Sequence, residues 1–417
     1  MLARSCEVLL SRFPLALRAA VLPAILVLPA ASQADPPCGG WDIVSTPNVG
    51  NYVTRLTGVT SLSPNDAWSV GYWRNQPQGW GPVALHWDGS SWSVVNVPSL
   101  GYAFEEVAGV DAAPNGDVWV VGDVTGGASF NLPLVLRWRN GAWDYVGTVT
   151  LRPQTVYPYG ARGGLAYDVA AIAADDVWAV GQAGGFGGGA TSVPMALHWD
   201  GSTWTDVAVP EVASRHHELL DVAAISTDDV WAVGNYRFWA QAYHAVTFHW
   251  DGNAWSYVPS PIELIADSGL LDVVATGPND VWALGTDPSG PLMMHWDGTA
   301  WSMVPAPPNT GGSMAAVAPN DIWVSGWDGF WHWDGSTWTE LPVQVPGASY
   351  VIRSGGMDLD RSSSTSLRRH WSSCPCTTSE ARGSATSMAR RSSRATSPSP
   401  GTAARLQAQP CRAGSTS

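Results

Sequence analysis

His86-Trp87-Asp88-Gly89-Ser90-Ser91-Trp92 is one of five nearly identical seven-residue stretches in this chain. The others begin at His198, His249, His295 and His332. Each sets two tryptophans around an Asp-Gly pair, the dipeptide that supplies the positive φ of a tight hairpin. The turn can consist of Asp88-Gly89 alone or of the four residues Asp88 to Ser91. In both registers Trp87 and Trp92 fall on one face of the hairpin and His86 on the other. Each of two adjacent indoles buries on the order of 200 Å², about 5 kcal/mol of transfer free energy. The motif tryptophans therefore read as core, repeated along the chain.

The stretch is the second half of a longer unit. The first half is Asp-Val-Trp-Ala-Val-Gly or a near copy, centred on Trp68, Trp119, Trp178, Trp231, Trp282 and Trp323. Successive spacings are 51, 59, 53, 51 and 41 residues, and periods of this size mark a repeat architecture. In the fifth unit, 271–275, 281–285, 291–296 and 301–304 read as strands, with Gly277-Pro278-Asn279 and Asp297-Gly298 as turns. Four antiparallel strands per unit, repeated radially, make a β-propeller blade. The expected fold is all-β, a propeller of six recognisable blades.

Gly39-Gly40-Trp41-Asp42-Ile43-Val44 repeats only the last strand of a unit. This N-terminal strand is expected to complete a seventh blade with three strands from beyond residue 346. Residues 361–417, rich in Ser, Arg, Thr and Ala, carry no second copy of either half-motif. By composition they read as disordered. Alternatively the tail is out of frame: Met357-Asp358 must be encoded ATG GAY, which contains TGG, a tryptophan codon, one base along. The gene sequence decides between the two. The chain divides into 1–34, 35–346 (the propeller) and 347–417 (an incomplete last blade and tail).

Residues 1–34 read as an export signal. Arg4, Arg12 and Arg18 precede an apolar run, 19–31, and Ser32-Gln33-Ala34 offers small residues for cleavage. The run is short and is broken by Pro23 and Pro29, so no membrane span is expected in the mature chain. A retained anchor is the alternative. The expected location is secreted or extracytoplasmic.

Between residues 35 and 346 there are 31 acidic residues against 8 arginines, and the chain has no lysine. Such a body cannot neutralise phosphates, which excludes a nucleic-acid partner. It also contains no cysteine beyond Cys38, so packing rather than disulfides must hold it.

The VWAVG and HWDGSxW units resemble the tryptophan-rich propeller repeats of secreted bacterial proteins over roughly 38–346. More loosely they are similar to propeller lectins of the tachylectin type. The glycine doublet of kelch repeats and the Gly-His start of WD40 repeats are missing. The resemblance implies the fold strongly and an activity weakly.

Function must come from residues the repeat does not use. Trp73, Trp80, Trp239, Trp327 and Trp331 fall outside the motif positions, between the second and third strands of their units. Arg55, Arg74, Arg152, Arg162, Arg215 and Arg237 fall in the same loops or in the connections between blades, which share one rim. Tyr72-Trp73-Arg74 has a counterpart in Tyr236-Arg237-Phe238-Trp239, with Tyr243 nearby, and Tyr157, Tyr159 and Arg162 lie on the longest connection. Indole faces suit the apolar face of a sugar, and Arg and Tyr supply directed hydrogen bonds. The candidate ligand-binding residues are Trp73, Arg74, Trp80, Tyr159, Arg162, Tyr236, Arg237, Trp239, Trp327 and Trp331. The bland reading is that these aromatics pack the loops onto the rim.

No catalytic residue, metal site or cofactor is expected. GxSxG, HExxH and phosphate-cradling motifs do not occur. The motif histidines, one per blade, cannot share an ion, and Arg215-His216-His217-Glu218 alternates across a strand. The sequence thus points to an exported, non-catalytic module that binds a glycan or extracellular protein through one rim. The alternatives are a glycoside hydrolase or lyase with a pocket at the central channel, and a purely structural protein-docking module.

Overall fold

The computed structural model describes residues 44–49, 53–75, 79–102, 104–126, 130–146, 163–184, 192–212, 216–238, 241–326 and 329–342. They form six four-stranded antiparallel sheets, each using its strands in chain order. Blade 1 consists of Val53–Ser63, Asp66–Arg74, Trp80–Trp87 and Trp92–Val95. Blades 2 to 6 span 104–145, 164–207, 216–257, 269–304 and 310–342. The fold is the all-β propeller that the repeat implies. Residues 39–43 and those beyond 342, which bear on the expected seventh blade, lie outside the described residues. Val44 and Val49 pack against the cluster of Leu85, Trp87 and Trp92 on blade 1.

The hairpin adopts the four-residue register. Trp87 pairs with Trp92 across it, and the Asp88 N–H donates to the Ser91 carbonyl. The Asp88 carboxylate accepts from the Ser90 and Ser91 N–H groups and from Ser90 Oγ, each within 2.8 Å. Gly89 sits at φ 96°, where a side chain is strained. These donors hold the Asp88 carboxyl down at about 2.

His86 takes the opposite face, as alternation requires. Its Nε2 lies 2.9 Å from Asp66, and its ring lies 4.6 Å from that of Trp68. The same Trp–His–Asp arrangement recurs at His198–Asp176, His249–Asp229, His295–Asp280 and His332–Asp321. In blade 2 Arg137 replaces the histidine and lies over Trp119, 5.1 Å from the ring centroid.

In blades 1 to 5 the second-strand tryptophan joins its blade to the next. Trp178 of blade 3, 1% exposed, meets the cross-strand pair Trp250 and Trp255 of blade 4 at 4.9 and 5.2 Å. Trp68 meets Trp138 and Trp143 in the same way, and Trp119 meets Trp199 and Trp204. Trp231 meets Trp296 and Trp301, and Trp282 meets Trp333 and Trp338. Nearer the axis, buried carboxylates fasten the first strands. Asp168 accepts from the Val222 N–H at 3.2 Å and Asp221 from the Val273 N–H at 2.7 Å. Replacing Trp178 by alanine empties one joint. The expected loss is about 3–5 kcal/mol, read as a lower midpoint in equilibrium denaturation.

Candidate functional site

The rim that carries the second-to-third-strand loops is lined by the rung four residues after each second-strand tryptophan. There Arg55 faces Tyr72 in blade 1, Glu106 faces Asp123 in blade 2, and Leu165 faces Gln182 in blade 3. Glu218 faces Asn235 in blade 4, and Gly269 faces Thr286 in blade 5. The motif residues below this rung repeat; this rung does not. Arg55 was legible as a rim residue and Glu218 as part of the 215–218 cluster, whereas Glu106, Asp123 and Asn235 were missed. Their signal is variability at a fixed offset from a repeated tryptophan.

On blade 1, Arg55 Nη1 donates to the Tyr72 hydroxyl at 3.2 Å. Tyr72 lies 5.3 Å from Trp80, and the Arg74 guanidinium stands over Trp80 at 4.8 Å. Burial raises the Tyr72 hydroxyl above its ordinary value against the pull of Arg55. Trp73, one residue away, points to the other face. A Cβ at Gly81 would fall 2.6 Å from its ring, so the indole lies flat on the sheet beside the Trp87 cluster. This glycine provides the space that lets Trp73 lie there. Trp73 and Trp80 are strand residues rather than loop residues, as is Trp331, which packs into the joint between blades 5 and 6.

On blade 2, Glu106 and Asp123 are cross-strand neighbours, and Asn131 Nδ2 donates to Asp123 at 2.8 Å. Burial, with the Glu106 charge adding to it, pushes Asp123 up to about 7. Burial also raises Glu106, opposed by Arg55.

On blade 4 the two faces part as the sequence implies. His217, Tyr236 and His244 stack in a row, with ring centroids 5.8 and 5.4 Å apart. His217 Nε2 accepts from the Val212 N–H at 3.1 Å, and burial lowers its pKa to about 4, so it is neutral. His244 Nδ1 lies 2.9 Å from the Glu263 carbonyl. A carbonyl only accepts, so this nitrogen carries the proton. On the other face His216, Arg237 and Tyr243 form a rung, with the guanidinium over Tyr243 at 4.6 Å. Tyr159, Arg162, Trp239 and Trp327 lie outside the described residues. The structure therefore brings together Arg74 with Trp80 on blade 1, and on blade 4 it sets Tyr236 and Arg237 on opposite faces of the sheet.

The first strands of blades 2 to 6 converge on a small cavity. The cavity is about 50 Å³, lined by Ala170, Ala171, Val222, Ala223 and Val273, with Asp111 as its one carboxylate. That volume suits a few waters. Asp111 accepts from Thr60 Oγ1 of blade 1 at 3.0 Å and from the Ala171 N–H of blade 3 at 2.9 Å. Burial pushes its carboxyl up to about 7. Among the described residues no group of three or more His, Cys, Asp or Glu side chains could hold a metal ion. No helix among them is long and apolar enough to cross a membrane.

These features define a tryptophan-rich, six-bladed β-propeller. No protein-family model matches the chain, and no curated protein matches it. Among solved structures it is similar to YCF48 bound to a D1 peptide, at 15% identity and TM-score 0.43, over 74% of this chain and 85% of that one. It is similar to the SapL1 lectin in complex with alpha methyl fucoside, at 12% identity and TM-score 0.43, over 72% and 99%. It is also similar to an ulvan lyase, a polysaccharide lyase, at 10% identity and TM-score 0.41, over 73% and 96%. The likeness is one of fold.

The Asp111 geometry sets a pH dependence. Its folded pKa lies above the unfolded value of about 3.9, so its contribution is complete below that value and is lost as pH rises through about 7. Stability to urea is expected to fall between about pH 4 and about pH 7, and to fall less in Asp111→Asn. Parallel pH profiles for the two proteins would exclude this role.

Proposed function

We propose that the protein is an exported, non-catalytic module that binds a glycan through the rim bearing the second-to-third-strand loops. The observation that carries this reading is a pair of arginine-on-aromatic platforms. Arg74 lies over Trp80 on blade 1 and Arg237 over Tyr243 on blade 4, all at the rim ends of their strands. A guanidinium held flat on a ring presents its hydrogen-bond donors with little rotamer entropy left to lose. Tyr243, 37% exposed, also offers an open edge for contact. Residues 1–34, read as an export signal, place such a surface where glycans are displayed. In a glycan array, the mature chain is expected to bind at least one glycan. Replacing Arg74 and Trp80 together by alanine is expected to weaken that binding about tenfold or more, with cooperative melting retained. A blank array from a well-folded sample would favour docking of an extracellular protein instead.

One observation supports a second reading, that of a glycoside hydrolase. Glu106 and Asp123 form a carboxyl pair on the rim, and Asp123, at about 7, keeps a proton near neutrality. A carboxylic acid that retains its proton while its neighbour ionises is what general acid catalysis needs. If this reading holds, a glycan that binds the rim will yield new reducing ends, and Asp123→Asn or Glu106→Gln will stop their release without abolishing binding. Prolonged incubation that releases none removes it.

A further inference from the structure

Among the described residues, six blades make five joints, each with a buried cluster shared by two neighbouring blades. Two further clusters belong to one blade each: Leu85, Trp87 and Trp92 with their neighbours on blade 1, and Ala315, Trp323 and Phe330 on blade 6. First strands pack side by side from blade 1 through blade 6, and those of blades 6 and 1 do not pack in this way. The described ring is therefore open at one position. Both faces of the opening are nonetheless dry: Trp87 and Phe330 are 1% exposed and Trp323 is 4%.

Two regularities of the repeat bear on what fills the opening. The first is a valine. Val95, Val146, Val207, Val258 and Val304 each stand three residues after a fourth-strand tryptophan, and each packs in the joint between its own blade and the next. Val44 stands three residues after Trp41 and packs on blade 1. It takes the place of the valine of a blade that precedes blade 1. The second is a clasp. Asp168 and Asp221, each ten residues before its second-strand tryptophan, accept the N–H of Val222 and of Val273 on the next first strand. Ser313 holds that place in blade 6. It is 1% exposed, and its Oγ has no hydrogen-bond partner among the described residues. A buried hydroxyl at the clasp position is an acceptor for the first strand of a following blade.

We propose that the two ends of this chain build a seventh blade in the opening, with residues 41–44 as its fourth strand and the chain after Pro342 as its first three. The sequence beyond blade 6 keeps the spacing of the repeat. Of the six His-Trp pairs in the chain, five end the third strands of described blades, and the sixth is His370-Trp371. Trp371 follows Trp333 by 38 residues, against 37 between Trp296 and Trp333. Tyr350 precedes Trp371 by 21 residues, against 20 between Ser313 and Trp333, which sets Val351 level with Val222 and Val273 as the donor to Ser313. Trp41 and Trp371 then form the cross-strand pair that meets Trp323, as Trp250 and Trp255 meet Trp178. Asp360 stands where the other blades set their second-strand tryptophan, so the joint with blade 1 is left to Val44 and Val49. The assignment also places Arg361, Arg368 and Arg369 between the second and third strands, on the rim that carries the binding platforms.

The test is amide hydrogen exchange of the full chain, read by mass spectrometry. Residues 41–44, 350–352 and 369–371 are expected to exchange as slowly as the fourth strand of blade 1, Trp92–Val95. Exchange at the rate of a free peptide in any of the three would overturn the inference. A double-mutant cycle gives an independent reading. Trp41→Ala and Trp323→Ala are each expected to lower the melting temperature, and together to lower it by clearly less than the sum of their separate shifts. Trp41→Ala with Trp231→Ala, whose joint lies between blades 4 and 5, is expected to give the full sum. Additive shifts in both cycles would overturn the inference, as would a Trp371→Ala chain that melts like the parent. Light scattering identifies the rival occupant. Protection that is lost on dilution, in a sample of twice the chain mass, would assign the opening to a second copy and overturn closure by the chain's own ends.

Discussion

The structure depends on one joint, an indole from the second strand of a blade set against two indoles on the third and fourth strands of the next. Trp178 against Trp250 and Trp255 is typical, with one tilted and one edge-on contact. Tilted and edge-on contacts suit the quadrupoles of aromatic rings better than a face-to-face stack. The joint also sets the direction of its neighbours. The pair must lie on one face of its hairpin, so the preceding histidine lies on the other and stacks on its own blade's tryptophan. The aspartate that starts the second strand then receives the histidine ring. A single packing constraint thus accounts for the tryptophans, the histidine and the second-strand aspartate of the repeat. It also accounts for the exception at Arg137, where a guanidinium stacks on Trp119 in place of an imidazole.

Holding the blades by indole packing leaves the rim free to vary. Along each second strand the residues as far as the glycine after the motif are committed, because that glycine meets the backbone of the first strand. A Cβ at Gly234, for example, would fall 1.9 Å from the Glu218 carbonyl oxygen. The next residue is the first one released from the repeat. It is Tyr72, Asp123, Gln182, Asn235 or Thr286 according to the blade. A uniform scaffold therefore presents a different polar group at the same height on successive blades.

The fold was legible because its signal is periodic and redundant. The tryptophans, the Asp-Gly turns and their spacing all repeat, and each copy checks the others. The rim was legible in part. Arg74, Trp80, Tyr236 and Arg237 stood out as aromatic and cationic residues surplus to the motif, and the structure places them on the rim. Trp73 stood out equally but lies flat over Gly81, because side-chain direction on a strand depends on parity, and Trp73 is odd where Tyr72 and Arg74 are even. Glu106, Asp123 and Asn235 drew no notice because acidic and amide residues are common in turns. What distinguishes them is burial between blades, which depends on the bulges that shift the first-strand register.

The joint also bears on how such a chain can change length. Each blade carries one complete half of the joint on its second strand and the other complete half on its last hairpin. A blade therefore presents the same plug on one side and the same socket on the other. Duplicating or deleting a whole unit leaves matched surfaces at the new boundary, whatever its rim residues are. Recombination between repeats can alter the number of blades or shuffle their rims without requiring a new core. A chain built this way can acquire new binding surfaces by copying and editing whole units.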